Sequence, residues 1–364
     1  VGLDRVLSSG ATLSGADVKT FFDRLDGYAS LANSAQATKG EISTYQQALN
    51  QVSGQRLLTQ DAAYLLGIQS WTNRLGSYLR VARQSGLSQP VQVSVYGNWA
   101  TNKTSAYRSG FDTNTFGLML AGERSFARGQ YAGFALGYEN SNTSFKQLAG
   151  SSKAETARVA VSYSYASEAK WGLRATASTG YTWLNSNRPQ PLFQAIAVGK
   201  AQAWDTGLQF EGSYKVLEQS ATRLSLLAGF QTIYAQRRAF DETGAVTALS
   251  VANRTMKSNQ SKLGLELTHD FTAGKQSLSV DARAYWLYDF SASPSDLEAA
   301  FIMGESKARP YNLVDSGLSK SSVWTDIGVS TDFNKRWRGR LSYQGQFGGD
   351  YSSQAFSAEL LFRF

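Results

Sequence analysis

The sequence predicts an all-β fold: a transmembrane antiparallel β-barrel of about twelve strands that follows a helical N-terminal segment. Three observations predict it. From Val91 to the C-terminus the hydrophobic period is two, whereas before about residue 85 it is helical. The 364 residues include 33 Gly, 18 Tyr, 19 Phe and 8 Trp against 5 Pro, a composition of strand formers and turn residues. Mean hydropathy is −0.31, and no uninterrupted apolar run reaches the roughly 18 residues of a helical membrane span. A membrane wall with one greasy face and one wet face keeps its mean hydropathy low in this way.

Taken in order, residues 1–57 read as a helical junction segment, with Ala, Leu, Gln and Glu common and apolar residues three and four apart. Residues 58–85 read as a further helix and linker. Asp61 is its expected N-cap, Leu65, Ile68, Trp71, Leu75 and Leu79 its apolar face, and Gln69, Asn73, Arg74, Arg80 and Arg83 its polar faces. The stretch Ser85 to Pro90 stops it. The N-terminus, Val1 to Asp4, has neither a basic n-region nor an apolar h-region, and an exported protein loses its signal peptide, so the chain reads as a mature or truncated fragment.

Residues 86–364 form the barrel. Trp171, Leu173, Ala175, Ala177, Thr179, Tyr181 and Trp183 alternate with Arg174, Thr176, Ser178, Gly180 and Thr182. Leu278, Val280, Ala282, Ala284, Trp286 and Tyr288 likewise oppose Ser279, Asp281, Arg283, Tyr285 and Asp289, and Trp337, Leu341, Tyr343 and Phe347 oppose Arg338, Arg340, Ser342, Gln344 and Gln346. Aromatics gather at the ends of the apolar faces, as an interfacial girdle requires. A soluble sandwich would have strands of about five to six residues, and these runs are longer. Connections at 126–129 and 166–169 are short, while those at 187–199, 240–253 and 292–318 are long, the asymmetry of periplasmic turns and outer loops.

Net charge is +8, but Lys and Arg are dispersed without a basic block, so no nucleic acid is expected as a partner. The absence of cysteine excludes disulfides and thiolate-bound metal.

Three stretches resemble the β-domain of autotransporters of the classical monomeric type, the translocators of type V secretion. Gly110 to Glu123 with Gly133 to Tyr138 is similar to the family's first hairpin. Ala299 through Val329 and Leu341 to Phe364 are similar to its closing strands, and the terminal Phe362 and Phe364 resemble the barrel-assembly signal. Ala48 to Gln55 resembles the junction between passenger and barrel, with Gln55 where the family usually has Glu, and Trp71 to Arg80 resembles the helix that enters the pore.

The resemblance implies a barrel with one helix threaded through its lumen, in the bacterial outer membrane, exporting and anchoring an N-terminal passenger. Its implied partners are outer-membrane lipid, the chain's own passenger, the β-barrel assembly machinery and periplasmic chaperones, with the barrel a monomer. On the alternation above, Glu123, Asp205, Glu211, Glu266, Asp281, Asp326 and Glu359 are lumen acids. They can face helix Arg74, Arg80 and Arg83 or wall arginines such as Arg158, Arg174, Arg283 and Arg340. Both pairings stay open. Some family members cut their passenger loose through a lumen asparagine, but Asn73 and Asn50 lack the paired-Asn context.

Two other classes compete: a porin-like channel and an outer-membrane hydrolase. A simple porin has no use for the helical segment. Against the hydrolase, the single histidine, His269, continues the outward face of Leu263, Leu265 and Leu267, and Asp270 points the other way. No nucleophile, P-loop, zinc or EF-hand motif is present. No catalytic residue, cofactor or metal is therefore expected.

Overall fold

The computed structural model describes residues 52–84, 90–104, 109–146, 150–166, 170–190, 195–274, 276–291, 296–303, 306–315 and 317–363. Residues 1–51, Phe364 and the side chains of Arg80 and Arg83 lie outside the described residues, and with them most of the expected junction segment.

The period-two runs form long strands: β1 (Pro90–Asn102), β2 (Phe111–Ala127), β3 (Gln130–Phe145), β4 (Ser151–Ala166), β5 (Trp171–Gln190), β6 (Ala195–Gln219) and β7 (Thr222–Arg237). After the short β8 (Phe240–Asp241) and β9 (Leu249–Val251) come β10 (Arg254–Ala273) and β11 (Gln276–Asp289). A second group of short strands, β12 (Leu297–Met303), β13 (Ser306–Lys307) and β14 (Tyr311–Leu313), precedes β15 (Ser321–Asp332), β16 (Trp337–Gly348) and β17 (Tyr351–Arg363).

Twelve of these strands close into an antiparallel barrel in which β1 pairs with β17, from Pro90 against Arg363 to Asn102 against Tyr351. Closure leaves no sheet edge, the condition for strands to cross lipid. The side chains sort as the alternation demands. On β5, Arg174, Thr176 and Thr182 are buried in the lumen while Trp171, Leu173 and Trp183 are exposed on the outer wall.

The outer wall carries two belts of aromatic pairs. Tyr165 with Trp171 and Trp337 with Phe362 mark the end with the short turns. Trp99 with Phe356, Tyr181 with Trp183 and Trp204 with Tyr234 mark the end with the long loops. Trp171 and Trp183 lie on one strand, a separation of about 40 Å along it and about 28 Å along the membrane normal at a tilt near 45°. That matches an apolar band about 25 Å tall between its girdles.

The helix α1 (Gln55–Gln84) runs inside the barrel. Leu58, Ile68, Trp71, Leu75 and Tyr78 are fully buried, and so are Asp61, Gln69, Arg74 and Ser77 on its other faces. Asp61 is therefore not the N-cap that the sequence suggests: it lies inside the helix, which begins at Gln55 after a turn at Gly54. Gly54 has φ +77°, a conformation that strains any residue with a Cβ.

The three long gaps also differ from plain loops. Residues 187–190 and 195–199 extend β5 and β6, and the other two gaps hold β8, β9, β12, β13 and β14, which form a small sheet at the long-loop end. Its inner face, with Leu249, Val251, Leu297, Phe301 and Tyr311, packs on Val52, Leu57 and Leu58 where α1 enters. Four of these five strands have only two or three residues, too few to carry a readable period, while β12 has seven.

Candidate functional site

The lumen of the barrel, with α1 in it, is the candidate site. Three ionic clusters fix the helix at successive levels. At the long-loop end the Asp61 carboxylate accepts from Arg237 at 2.8 Å and from Arg254 at 3.1 Å, and Arg254 continues to Asp315 at 3.1 Å. Beside them a buried Arg188–Glu242 pair also donates to the Val52 carbonyl at 3.4 Å, so the wall holds the helix at its entrance.

At the middle level Arg74 donates from Nε to Gln344 at 3.1 Å, lies 3.9 Å from Glu139, and stacks over the Tyr96 ring at 3.8 Å. Tyr96 in turn donates to Glu139 at 2.9 Å. The Arg158 guanidinium bonds Glu139 and Asp205, and Tyr64 of α1 donates to Asp205 at 3.1 Å. Trp71 is fully buried against β3, where Gly137 leaves the room: a Cβ there would stand 2.8 Å from the indole nitrogen. Asn73 accepts from Lys262 at 2.7 Å.

Toward the short-turn end, Arg340 reaches Asp281 at 2.7 Å, Glu359 at 2.8 Å and Asp326 at 3.3 Å. Arg283 pairs with Asp326 at 2.7 Å and Glu266 at 3.6 Å, and Ser77 of α1 donates to Asp326 at 2.7 Å. This cluster joins Glu266, Asp281, Arg283 and Asp326, four residues that the sequence placed on wet faces without showing that they meet.

Glu211 stands elsewhere, accepting from Tyr285 at 2.6 Å, and Glu123 accepts from Ser164 at 2.7 Å. Of the two pairings open at the sequence level, wall arginines hold most of the lumen acids, and Arg74 adds one helix contact through Glu139. Tyr64, Tyr96, Glu139, Arg237 and Lys262 escaped the sequence reading, and Asp61 was read as a cap instead of a partner of wall arginines. Glu139 carried a signal, since it lies on the same alternate face of β3 as Gly133, Ala135 and Gly137. His269 is on the outer wall, hydrogen-bonded to Thr222 at 2.9 Å and stacked on Phe271. Phe362 closes the outward face of β17 against Trp337.

A closed twelve-strand wall, greasy outside, belted by aromatics and filled by a helix held through charges, defines an outer-membrane barrel. The autotransporter beta-domain model matches residues 91–344, and the chain belongs to that family. Among solved structures, it is similar to the translocator domain of the autotransporter NalP from Neisseria meningitidis at 15% identity and a TM-score of 0.67, covering 84% of this chain and 99% of that one. It is similar also to the β-domain of the Bordetella autotransporter BrkA, at 14% identity and TM-score 0.54 over 76% of this chain and 100% of that one. A third is the transport unit of the autotransporter AIDA-I from Escherichia coli, at 14% identity and TM-score 0.54 over 75% of this chain and 90% of that one. At such identities these likenesses speak to the fold. No curated protein matches the chain.

Proposed function

We propose that α1 is both plug and tether: the trailing end of an exported passenger, kept in the barrel by Asp61, Arg74 and Ser77. The chain is an outer-membrane translocator of a passenger. The observation that carries the finer reading is the burial of α1 on every face, polar ones included, inside a closed wall. A helix with charged groups is stable there because wall arginines answer Asp61 and the wall acid Glu139 answers Arg74. The long-loop end then faces the outside and the short turns the periplasm, the usual arrangement of such barrels.

Residues 1–57 act as the junction to the passenger, 58–85 as pore helix and linker, and 86–364 as the barrel. Insertion uses the β-barrel assembly machinery, which reads Phe362 and Phe364, after periplasmic chaperones have carried the unfolded chain, and the barrel works as a monomer. The domain is a conduit without an active site, a reading supported by the outward placement of His269. An open porin is disfavoured by the helix in the lumen.

The test is twofold. An epitope placed before Val1 should be cut by protease added to intact cells, and removal of residues 1–83 should raise conductance in planar bilayers several-fold over the full chain. An epitope that stays inside would overturn export, and equal conductance would overturn the plug.

A further inference from the structure

A cation on the outer face of a membrane barrel, where no protein acid answers it, finds its counter-charge in the lipid headgroups. Three such cations gather at the long-loop end. Lys200 on β6, Arg238 just past β7 and Lys257 on β10 are all exposed. Each holds an outward position of the alternation: Lys200 continues the face of Trp204 and Leu208, Arg238 that of Tyr234 and Phe230, and Lys257 that of Leu263 and Leu265.

The register ties them into one patch. Lys200 stands opposite Asn185, and Asn185 opposite Lys153. Arg238 donates its backbone amide to the Gln202 carbonyl at 2.8 Å and its guanidinium to the Gln202 side chain at 3.2 Å. That places it on the diagonal from Lys200, about 7–8 Å away. Lys257 pairs with Tyr234, its ammonium 6.0 Å from the centre of the ring. From Arg238 to this pair is four residues along the strand, about 14 Å.

Among the described residues none of the three has a carboxylate partner. Glu155, which shares a row with Trp183 and Gln202, is taken by Lys153 at 2.6 Å, and Asp241 is taken by Lys307 at 3.1 Å. Elsewhere the outer wall is different. At the short-turn end Arg223 is answered by Asp270 at 2.9 Å and Lys215 by Glu218 at 2.9 Å. Across the barrel the long-loop ends of β15, β16 and β17, residues 321–325, 345–348 and 351–356, contain no Lys or Arg.

Below the cations come rings, and below the rings hydrocarbon. Trp204 packs on Tyr234 with ring centres 5.3 Å apart and donates to Gln236 at 3.0 Å, and Tyr181 packs on Trp183 at 4.9 Å. Nearer the midplane Leu208, Phe210 and Phe230 are exposed. The wall thus presents charge, then aromatic faces, then apolar side chains. A glycolipid with a phosphorylated sugar headgroup has the complementary order: phosphates, sugar rings that rest on aromatic faces, and acyl chains. A glycerophospholipid has one phosphodiester at the glycerol, which meets either Arg238 or Lys257 and leaves the other bare.

We propose that Lys200, Arg238 and Lys257 form a binding site for the phosphates of an outer-leaflet glycolipid, whose sugars lie on Trp204 and Tyr234. The inference rests on the reading that the long-loop end faces outside.

The test uses the full chain, refolded in detergent, held by an N-terminal tag on a sensor surface and titrated with lipopolysaccharide, with its dephosphorylated form, or with phosphatidylglycerol. Lipopolysaccharide should bind about tenfold tighter than phosphatidylglycerol, and dephosphorylation should remove the difference. Exchanging all three cations, as Lys200→Gln, Arg238→Gln and Lys257→Gln together, should weaken lipopolysaccharide binding about fivefold for each cation and about a hundredfold in all. Lys215→Gln with Arg223→Gln, at the other end, should leave it unchanged. Each variant is scored after it shows the compact, heat-modifiable band of a folded barrel, and should the triple variant lack that band, the fivefold loss in Lys257→Gln decides. Undiminished binding by the cluster variants, or equal binding of the two lipids, would overturn the site and leave export untouched. Binding in detergent does not depend on orientation, so an epitope that stays inside intact cells would overturn the orientation, and with it the outer-leaflet assignment, even where lipopolysaccharide binds.

Discussion

Arg74 of the pore helix lies with its guanidinium 3.8 Å above the ring of Tyr96, and that ring lies flat because Gly117 on the neighbouring strand has no side chain. A Cβ at residue 117 would overlap the phenol. A buried cation–π contact of this kind is worth about 2 kcal/mol. Gly117→Val is therefore expected to lower the yield of folded barrel, read as the compact band in unboiled gels, and Tyr96→Ala in the same chain to restore it. A double variant no better than Gly117→Val alone would show that the glycine serves another purpose.

Asp61 is the one acid between Arg237 and Arg254 on the helix side. Asp61→Asn strips the buried Arg237 of its counter-charge and leaves Arg254 with Asp315, at a cost of about 3 kcal/mol. The loss falls on the docking of α1 and spares the wall. Limited proteolysis of the reconstituted protein should cut within the helix at least ten times faster, with the barrel strands still protected; unchanged cleavage would mean that the apolar contacts alone seat the helix.

Arg340 serves three carboxylates at once. Arg340→Ala takes the guanidinium from Asp281 and from Glu359, which keeps only the hydrogen bonds from Gln92, Ser342 and Ser357, and leaves Asp326 to Arg283, so the guanidinium unfolding midpoint should fall by the equivalent of about 3–5 kcal/mol. Arg340→Lys should recover only part of this, because an ammonium lacks the planar fork that reaches three acids.

The small outer sheet carries a pH dependence. Hydrogen bonding from Ser250 first, and from Lys307 next, holds the Asp241 carboxyl below its ordinary range. A carboxyl whose folded pKa is depressed stabilises the fold above its unfolded value near 3.9, and that contribution disappears as pH falls through the folded value. Amide exchange at Leu249 and Val251 should therefore speed up, relative to intrinsic rates, below about pH 4 in the wild type. Asp241→Asn should abolish the pH step. The effect is small, because both partners are about half exposed.

How far the sequence can be read is visible in particular residues. The alternation of β5 and β11 is written in the chain because period two follows directly from strand geometry, and so the wet faces of Arg174 and Asp281 were legible. Asp61 was not. An acid before an apolar run is the mark of an N-cap, and an acid answering wall arginines looks the same until the partners, 176 and 193 residues away, are brought in. The meeting of Arg340 with Asp281 is hidden for the same reason, since it depends on the register of β11, β15 and β16. The sheet of β8, β9, β12, β13 and β14 was illegible because its stability lies in contact with α1 rather than in any local pattern.

The pairing of β1 with β17 sets a schedule for the molecule. Every residue of β1 from Pro90 to Asn102 waits for a partner drawn from the last strand of the chain. Until that strand arrives, two open edges present their amides and carbonyls to hydrocarbon, which offers them no hydrogen bonds, at several kcal/mol for each group left bare. Half a barrel is thus no resting place in lipid. Insertion is coupled to completion of the ring, and a chain that stops short of β17 is condemned to remain in the periplasm.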